Sequence, residues 1–282
     1  MRRTVWFAIT PALVLALFAV RPASAQVSVG ADAGVFSAYV WRGLSLTNKP
    51  VVEPDLWLSF PVGSGSITAG GWANIELGKY DDPADDISEG GGVASPDLTE
   101  FDWWVEYATA LGSASVSLGV TGYIFPNDFG LTSDNNTLEI YGQLGLSTVL
   151  SPSISAYYDV DKIKGLYLEG SVSHDIAVSP SFTLTLGALA GFNAGMGCEP
   201  DSNDNCTVLS NFFDDGFTHA DFSVSTSFGA GSISISPAFH FQISSDEFAK
   251  FNSPSDFDKG SKIWFGATVS WASGGGEEEA AE

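Results

Sequence analysis

Glu100-Phe101-Asp102-Trp103-Trp104-Val105-Glu106-Tyr107 decides the fold of this chain. Phe101, Trp103, Val105 and Tyr107 fall on one face of an extended strand, and Glu100, Asp102, Trp104 and Glu106 on the other. Successive side chains of a strand point to opposite faces, so a period of two is a strand signal. A face of rings and aliphatics backed by a face of acids suits a wall with lipid on one side and water on the other. The pattern recurs outward in both directions. Leu138, Ile140, Leu144 and Leu146 oppose Glu139, Tyr141 and Gln143. Ile233, Ile235, Phe239 and Phe241 oppose Ser232, Ser234, Ser236 and His240.

Twelve such stretches are predicted, at 27–41, 51–60, 66–77, 99–111, 114–125, 137–148, 153–161, 165–176, 182–192, 217–228, 232–242 and 261–271. Short Gly/Ser/Pro connections (61–65, 112–113, 149–152, 177–181, 229–231) alternate with mostly longer ones (42–50, 78–98, 126–136, 162–164, 193–216, 243–260). Short turns on one rim and long loops on the other describe an all-β, antiparallel up-and-down transmembrane barrel of the bacterial outer-membrane kind, with about twelve strands and both termini at the short-turn, periplasmic rim. A soluble β-sandwich also alternates, but it would not sort its connections this way, and an outward face this apolar does not suit water.

The N-terminus fits export. Arg2 and Arg3 precede an apolar run, Val5 to Val20, and Ala23-Ser24-Ala25 is a small-residue cleavage site. Residues 1–25 are therefore expected to be a signal peptide, 26–271 the barrel, and 272–282 a disordered acidic periplasmic tail. The whole chain carries 34 acidic and 11 basic residues. Cleavage removes Arg2, Arg3 and Arg21, leaving 8 basic against 34 acidic, a net charge of −26. That charge repels phosphates and excludes nucleic acid as a partner class; it fits a pore or surface that meets cations. The two cysteines, Cys198 and Cys206, share one loop, and in an exported protein a disulfide is expected between them.

Aromatic side chains mark interfaces with lipid headgroups. Tyr39 and Trp41 are expected near the outer rim, and Phe60, Phe228 and Trp271 near the periplasmic rim. The last strand, Lys262 to Trp271, alternates and ends on an aromatic, similar to the terminal recognition strand of outer-membrane proteins. The first hairpin reads Phe36-Ser-Ala-Tyr-Val-Trp-Arg-Gly-Leu-Ser-Leu-Thr-Asn48, then Pro54-Asp-Leu-Trp-Leu58. This resembles the TorF-like porins of Gram-negative bacteria, whose first strand reads S-D-Y-x-[FW]-R-G-x-S. Tyr39, Trp41, Arg42, Gly43 and Ser45 carry the match, and Ala38 stands where the family has Asp. The resemblance implies an outer-membrane barrel more firmly than it implies a transported solute.

Alternation assigns the lumen its side chains. The pore-lining candidates are Arg42, Glu53, Asp55, Trp57, Trp72, Glu76, Glu100, Asp102, Trp104, Glu106, Glu139, Tyr141, Asp159, Glu169 and Lys262, with Asp32, Asp175, Asp221, Tyr157, Tyr167 and Trp264 on the same face. One sign of charge in excess concentrates counter-ions, so a cation-leaning pore for small hydrophilic solutes is expected. The inward rings either guide flat solutes or fill a narrow lumen, because eight strands close a barrel on its side chains and sixteen leave a channel. The other functional reading is a narrow structural or adhesion barrel whose acidic outer loops bind a partner or divalent cations.

Catalysis is not expected. A barrel hydrolase needs an oriented Ser–His pair, and the three histidines, His174, His219 and His240, do not provide one; His219 falls near Asp221 on one face. No cofactor is expected. Asp201, Asn203 and Asn205 resemble the start of a calcium loop, but Cys206 and Phe212 stand where that loop needs Gly and Glu, so the metal reading is weak. Asp81, Asp82, Asp85, Asp86 and Glu89 form a second acidic cluster. The expected partners are outer-membrane lipid and lipopolysaccharide, the barrel-assembly machinery, and small solutes or cations; the oligomeric state is open.

Overall fold

The computed structural model describes residues 27–82, 85–90, 95–126, 136–179, 182–197, 210–247 and 260–273. The elements among these residues are β1 (Ser28–Phe36), β2 (Val40–Trp41), β3 (Leu44–Ser45), β4 (Val51–Val62), β5 (Gly65–Glu76), β6 (Asp97–Leu111), β7 (Ala114–Ile124), β8 (Thr137–Leu146), β9 (Ser153–Asp159), β10 (Leu166–Ser179), β11 (Phe182–Ala194), β12 (Gly216–Thr226), β13 (Phe228–Ala230), β14 (Ile233–Ser244) and β15 (Ser261–Ala272). Twelve of them form a closed antiparallel barrel. Each pairs with its neighbour in chain order, β12 pairs with β14, and β15 returns to β1. Closure leaves no unpaired strand edge, which is what lets strands sit in hydrocarbon. β13 extends the β12–β14 turn, and β2 and β3 form a small separate hairpin.

Register fixes the two faces. Asp32 lies opposite Asp55, Trp72 opposite Asp102, Thr121 opposite Glu139, Glu139 opposite Asp159, Tyr157 opposite Tyr167, and Gln242 opposite Lys262. The acids therefore share one face from strand to strand. The opposite face carries Leu56 at 66% exposure, Leu118 at 62% and Ile263 at 60%, with Phe101, Trp103, Phe222, Phe239 and Phe265. An apolar band around a whole barrel is far larger than a soluble monomer exposes, so lipid is its solvent. Phe60, Phe228 and Trp271 are exposed at the short-turn rim, with Phe228 stacked on Phe182, as an interfacial girdle requires.

The short turns run from β4 to β5, β6 to β7, β8 to β9, β10 to β11 and β13 to β14; the other connections carry most of the long segments. Gly63, Gly112 and Gly231 hold the tight turns at positive φ, where a Cβ would be strained. β15 runs through Ala272, one residue into the expected tail. The signal peptide, the rest of the tail, Cys198, Cys206 and the Asp201, Asn203 and Asn205 triplet lie outside the described residues.

One expectation is overturned. The first strand does not run to Trp41; it leaves the wall at Phe36, where Ser37 takes a last backbone bond from its amide to the Phe265 carbonyl. Tyr39 and Trp41 do not face lipid: Tyr39 meets Glu100 and Trp72, and Trp41 meets Tyr123, on the inner side of the wall. The segment 37–50 turns inward, and its hairpin β2–β3 sits in the lumen. Burial drives this: Leu44 packs with Tyr167, Met196 and Phe212, and Trp41 and Leu46 cover that cluster.

Candidate functional site: the barrel interior

The inward rings do not all project into the lumen. Trp57 lies across from Gly30, Trp104 from Gly70, and Tyr141 from Gly119. A Cβ added at those glycines would fall 2.1, 2.6 and 2.3 Å from the facing ring. Each ring thus lies flat on a bare stretch of backbone, which keeps bulk out of the centre. Two are also tied to an acid: Trp57 Nε1 donates to Asp32 Oδ2 at 3.1 Å, and Tyr141 Oη to Glu106 Oε2 at 3.1 Å. Below the hairpin, toward the short-turn rim, a cavity of about 350 Å³ opens among Ser66, Glu106, Ala108, Ser115, Ser117 and Gln143.

The long-loop half is different, because its acids hold polypeptide. Glu76 accepts from Ser88 Oγ at 2.6 Å and from the Glu89 amide at 2.8 Å, anchoring the 77–96 connection. Asp159 accepts from Thr137 Oγ1 and from the amides of Asp161, Ile163 and Lys164, closing the 160–165 turn. Glu100 accepts from Tyr39 Oη at 2.9 Å, while Tyr39 packs on Trp72 at 5.4 Å. Glu53 faces Gly34 on the same wall. Asn74 Nδ2 and Thr99 Oγ1 donate to Glu89 Oε2 at 3.2 and 2.8 Å. Burial pushes the Glu89 carboxyl above its ordinary range.

The tip of the inner hairpin reaches several walls at once. Arg42 and Gly43 form its two-residue turn, with φ of 48° and 82°. Both residues of such a turn need positive φ, which Asn-Gly supplies most easily. Arg in that conformation costs about 1–2 kcal/mol, and its side chain offsets the strain. Nη1 and Nη2 of Arg42 donate to Oε1 and Oε2 of Glu139 at 2.8 and 2.7 Å, with side-chain exposures of 5% and 2%. The guanidinium carbon lies 4.3, 4.5 and 4.6 Å from the ring centres of Trp41, Tyr157 and Tyr167. Tyr123 Oη donates to Glu139 Oε2 at 2.8 Å, and Tyr167 Oη to Glu169 Oε1 at 3.2 Å. From the other side, Gln242 Nε2 and Lys262 Nζ each donate to the Gly43 carbonyl at 2.8 Å. A Cβ at Gly43 would strike the His219 ring at 2.5 Å. The hairpin thus bridges β8, β12, β14 and β15 across the lumen.

One pairing read from the sequence resolves differently. Asp221 does not partner His219; it accepts from His240 Nδ1 at 3.0 Å, and His240 stacks on Trp264 at 4.6 Å. His219 instead bonds Thr218 and abuts the hairpin. Within the acidic cluster at 81–89, Lys79 pairs with Asp81 at 2.5 Å and Lys49 with Asp86 at 2.8 Å. Those hydrogen-bonded lysines hold both carboxyls below their ordinary range. Among the described residues, no group of three or more His, Cys, Asp or Glu side chains is placed to hold a metal, and no helix is long and apolar enough to cross a membrane.

The signal that would have located the hairpin was present. Val40-Trp-Arg-Gly-Leu-Ser45 is a two-residue turn between short extended arms. The alternation of β1 breaks just before it, where apolar Phe36 falls on the face of Asp32 and polar Ser37 on the face of Val35.

Among solved structures, an outer-membrane channel of Pseudomonas putida F1 aligns with 90% of this chain and 99% of its own, at TM-score 0.52 and 10% identity. LpxR from Salmonella typhimurium aligns with 87% and 99%, at 0.49 and 8%. The KdgM porin, solved with disordered oligogalacturonate, aligns with 86% and 98%, at 0.41 and 11%. At these identities the likeness to the Pseudomonas channel is one of fold, that of an outer-membrane barrel. No curated protein matches the sequence. A family model matches residues 20–239, and on that match the chain belongs to Gcw_chp, a bacterial protein family of unknown function.

Proposed function

We propose that this protein is an outer-membrane channel for small hydrophilic solutes, that it leans toward cations, and that the hairpin at 37–50 controls its long-loop half. The carrying observation is the charge of the inner face. Among the described strand residues Lys262 is the one lysine or arginine, and it is committed to Gly43 and Ser45 of the hairpin. Asp32 and Asp55 stand directly opposite one another, and Glu106 lines the open cavity. Like charges at that spacing repel each other and attract cations from solution. The resemblance of the first hairpin to TorF-like porins supports the same reading. On this account residues 1–25 direct export, the long loops face outward beside lipopolysaccharide, and Cys198 and Cys206 bridge within one such loop.

The hairpin across the lumen favours a second reading, a closed barrel that displays its loops. Planar-bilayer recording of the wild type and of a variant with residues 38–49 replaced by a short Gly/Ser linker separates the two. The channel reading expects small or flickering wild-type currents and larger, steadier ones from the variant. No current from either, with both folded, would establish the closed barrel.

A further inference from the structure

The guanidinium of Arg42 occupies a receptor that the wall builds without it. Tyr123, Glu139, Tyr157 and Tyr167 come from β7, β8, β9 and β10, four successive strands of the barrel. Register sets Tyr157 beside Tyr167 and brings Glu139 one pair further along the same wall. Glu139 presents both oxygens to one fork of donors, Tyr123 orients it, and two phenol rings flank the bound cation. A bidentate carboxylate selects a planar pair of N–H donors, and ring faces select a weakly hydrated cation. Trp41 alone among the groups around the guanidinium comes from the hairpin itself. Arg42 reaches the receptor from a left-handed turn position that most side chains avoid.

We propose that this receptor is a solute-binding site for guanidinium and amidinium compounds, with Arg42 as its resident occupant. A solute of that class displaces Arg42, and the hairpin loses its anchor on β8. The inference rests on the channel reading and names the solute class for it. Because Arg42 is tethered, it competes at a high effective concentration, on the order of millimolar, so free solute must match that level to exchange. The site then favours guanidinium compounds at high local concentration, and the acidic lumen raises that concentration.

The test measures binding to the full chain refolded in detergent, using L-arginine and its neutral isostere L-citrulline as probes. In Arg42→Gln the receptor is vacated. Arginine should then bind at least about tenfold more tightly than citrulline, as expected for replacing a charge-assisted fork by a neutral one. Wild type should bind arginine more weakly than the variant, and Arg42→Gln/Glu139→Gln should lose the discrimination. Equal binding of both probes by Arg42→Gln, or discrimination that survives loss of Glu139, would overturn the proposal. If Arg42→Gln fails to give a heat-modifiable barrel, Arg42→Lys keeps the charge but lacks the fork; it should bind arginine more tightly than wild type does, and failure to do so would overturn the proposal equally. Potassium conductance recorded in parallel separates the two claims: conduction without arginine binding removes only the site, whereas binding without conduction removes only the channel.

Discussion

Arg42 and Glu139 lie 97 positions apart in the chain and meet inside the barrel through two parallel hydrogen bonds. This pair fastens the inner hairpin to the wall. Breaking a buried ion pair from one side leaves an uncompensated charge, at a cost of about 3–5 kcal/mol. Arg42→Gln is therefore expected to undock the hairpin, seen as protease cleavage within 37–50, while the hydrogen-bonded wall keeps its heat-modifiable gel mobility. Arg42→Gln/Glu139→Gln should recover part of the protection, because it leaves neither partner of the pair as an uncompensated charge. Full protection in the single variant would show that the pair does not anchor the segment.

Gly119 makes room for Tyr141. Gly119→Val places a side chain where the phenol ring lies, 2.3 Å from its nearest atom. Overpacking of this kind costs about 1–3 kcal/mol, read as a lower urea midpoint for unfolding in detergent. Adding Tyr141→Ala should restore much of the loss. Independent, additive effects of the two changes would mean that the ring has other room.

The 77–96 connection should have a pH window. Asp81 and Asp86 are depressed by their lysines, so their contribution is present above the ordinary aspartate pKa, about 3.9, and is lost as pH falls through their lower folded values. Glu89 is raised by burial, so its contribution is fully present at low pH and is lost as pH rises through its folded value. A nitroxide at position 85, in a cysteine-free background, should be most immobile between these limits. Glu89→Gln should remove the alkaline limb and keep the acid one. An unchanged alkaline limb would place the titrating group elsewhere.

The sequence exposed the wall and hid the plug, for a physical reason. Alternation reports which side of a sheet a residue faces, and register sets Asp32, Glu53, Asp55, Glu100, Asp102, Glu106 and Glu169 on one face of the wall. It does not report what a side chain meets there. Glu76 and Asp159 look like free pore acids in sequence, yet they are spent on loop amides. Tyr39 and Trp41 have the spacing of a strand continuing outward, and only tertiary burial turns them inward. His219 and Asp221 share a face, but the partner of Asp221 comes from the neighbouring strand, a contact that depends on register.

Orientation in the membrane is open to direct labelling. Tags inserted at Ser95 and Ser210 are expected to be reactive on intact cells, and a tag at Ser113, in a two-residue turn, only after permeabilisation. Reactivity at Ser113 alone would invert the barrel.

The claim that the acidic inner face makes a cation-leaning channel meets its most direct test in the reversal potential across a bilayer separating two potassium chloride concentrations. The account expects a potential of the sign set by potassium, reduced in Asp32→Asn/Asp55→Asn/Glu106→Gln without loss of current. It should also shrink in high salt, as the Debye length falls to about 3 Å at 1 M. A potential of the chloride sign, or one untouched by removing those three carboxylates, would contradict it.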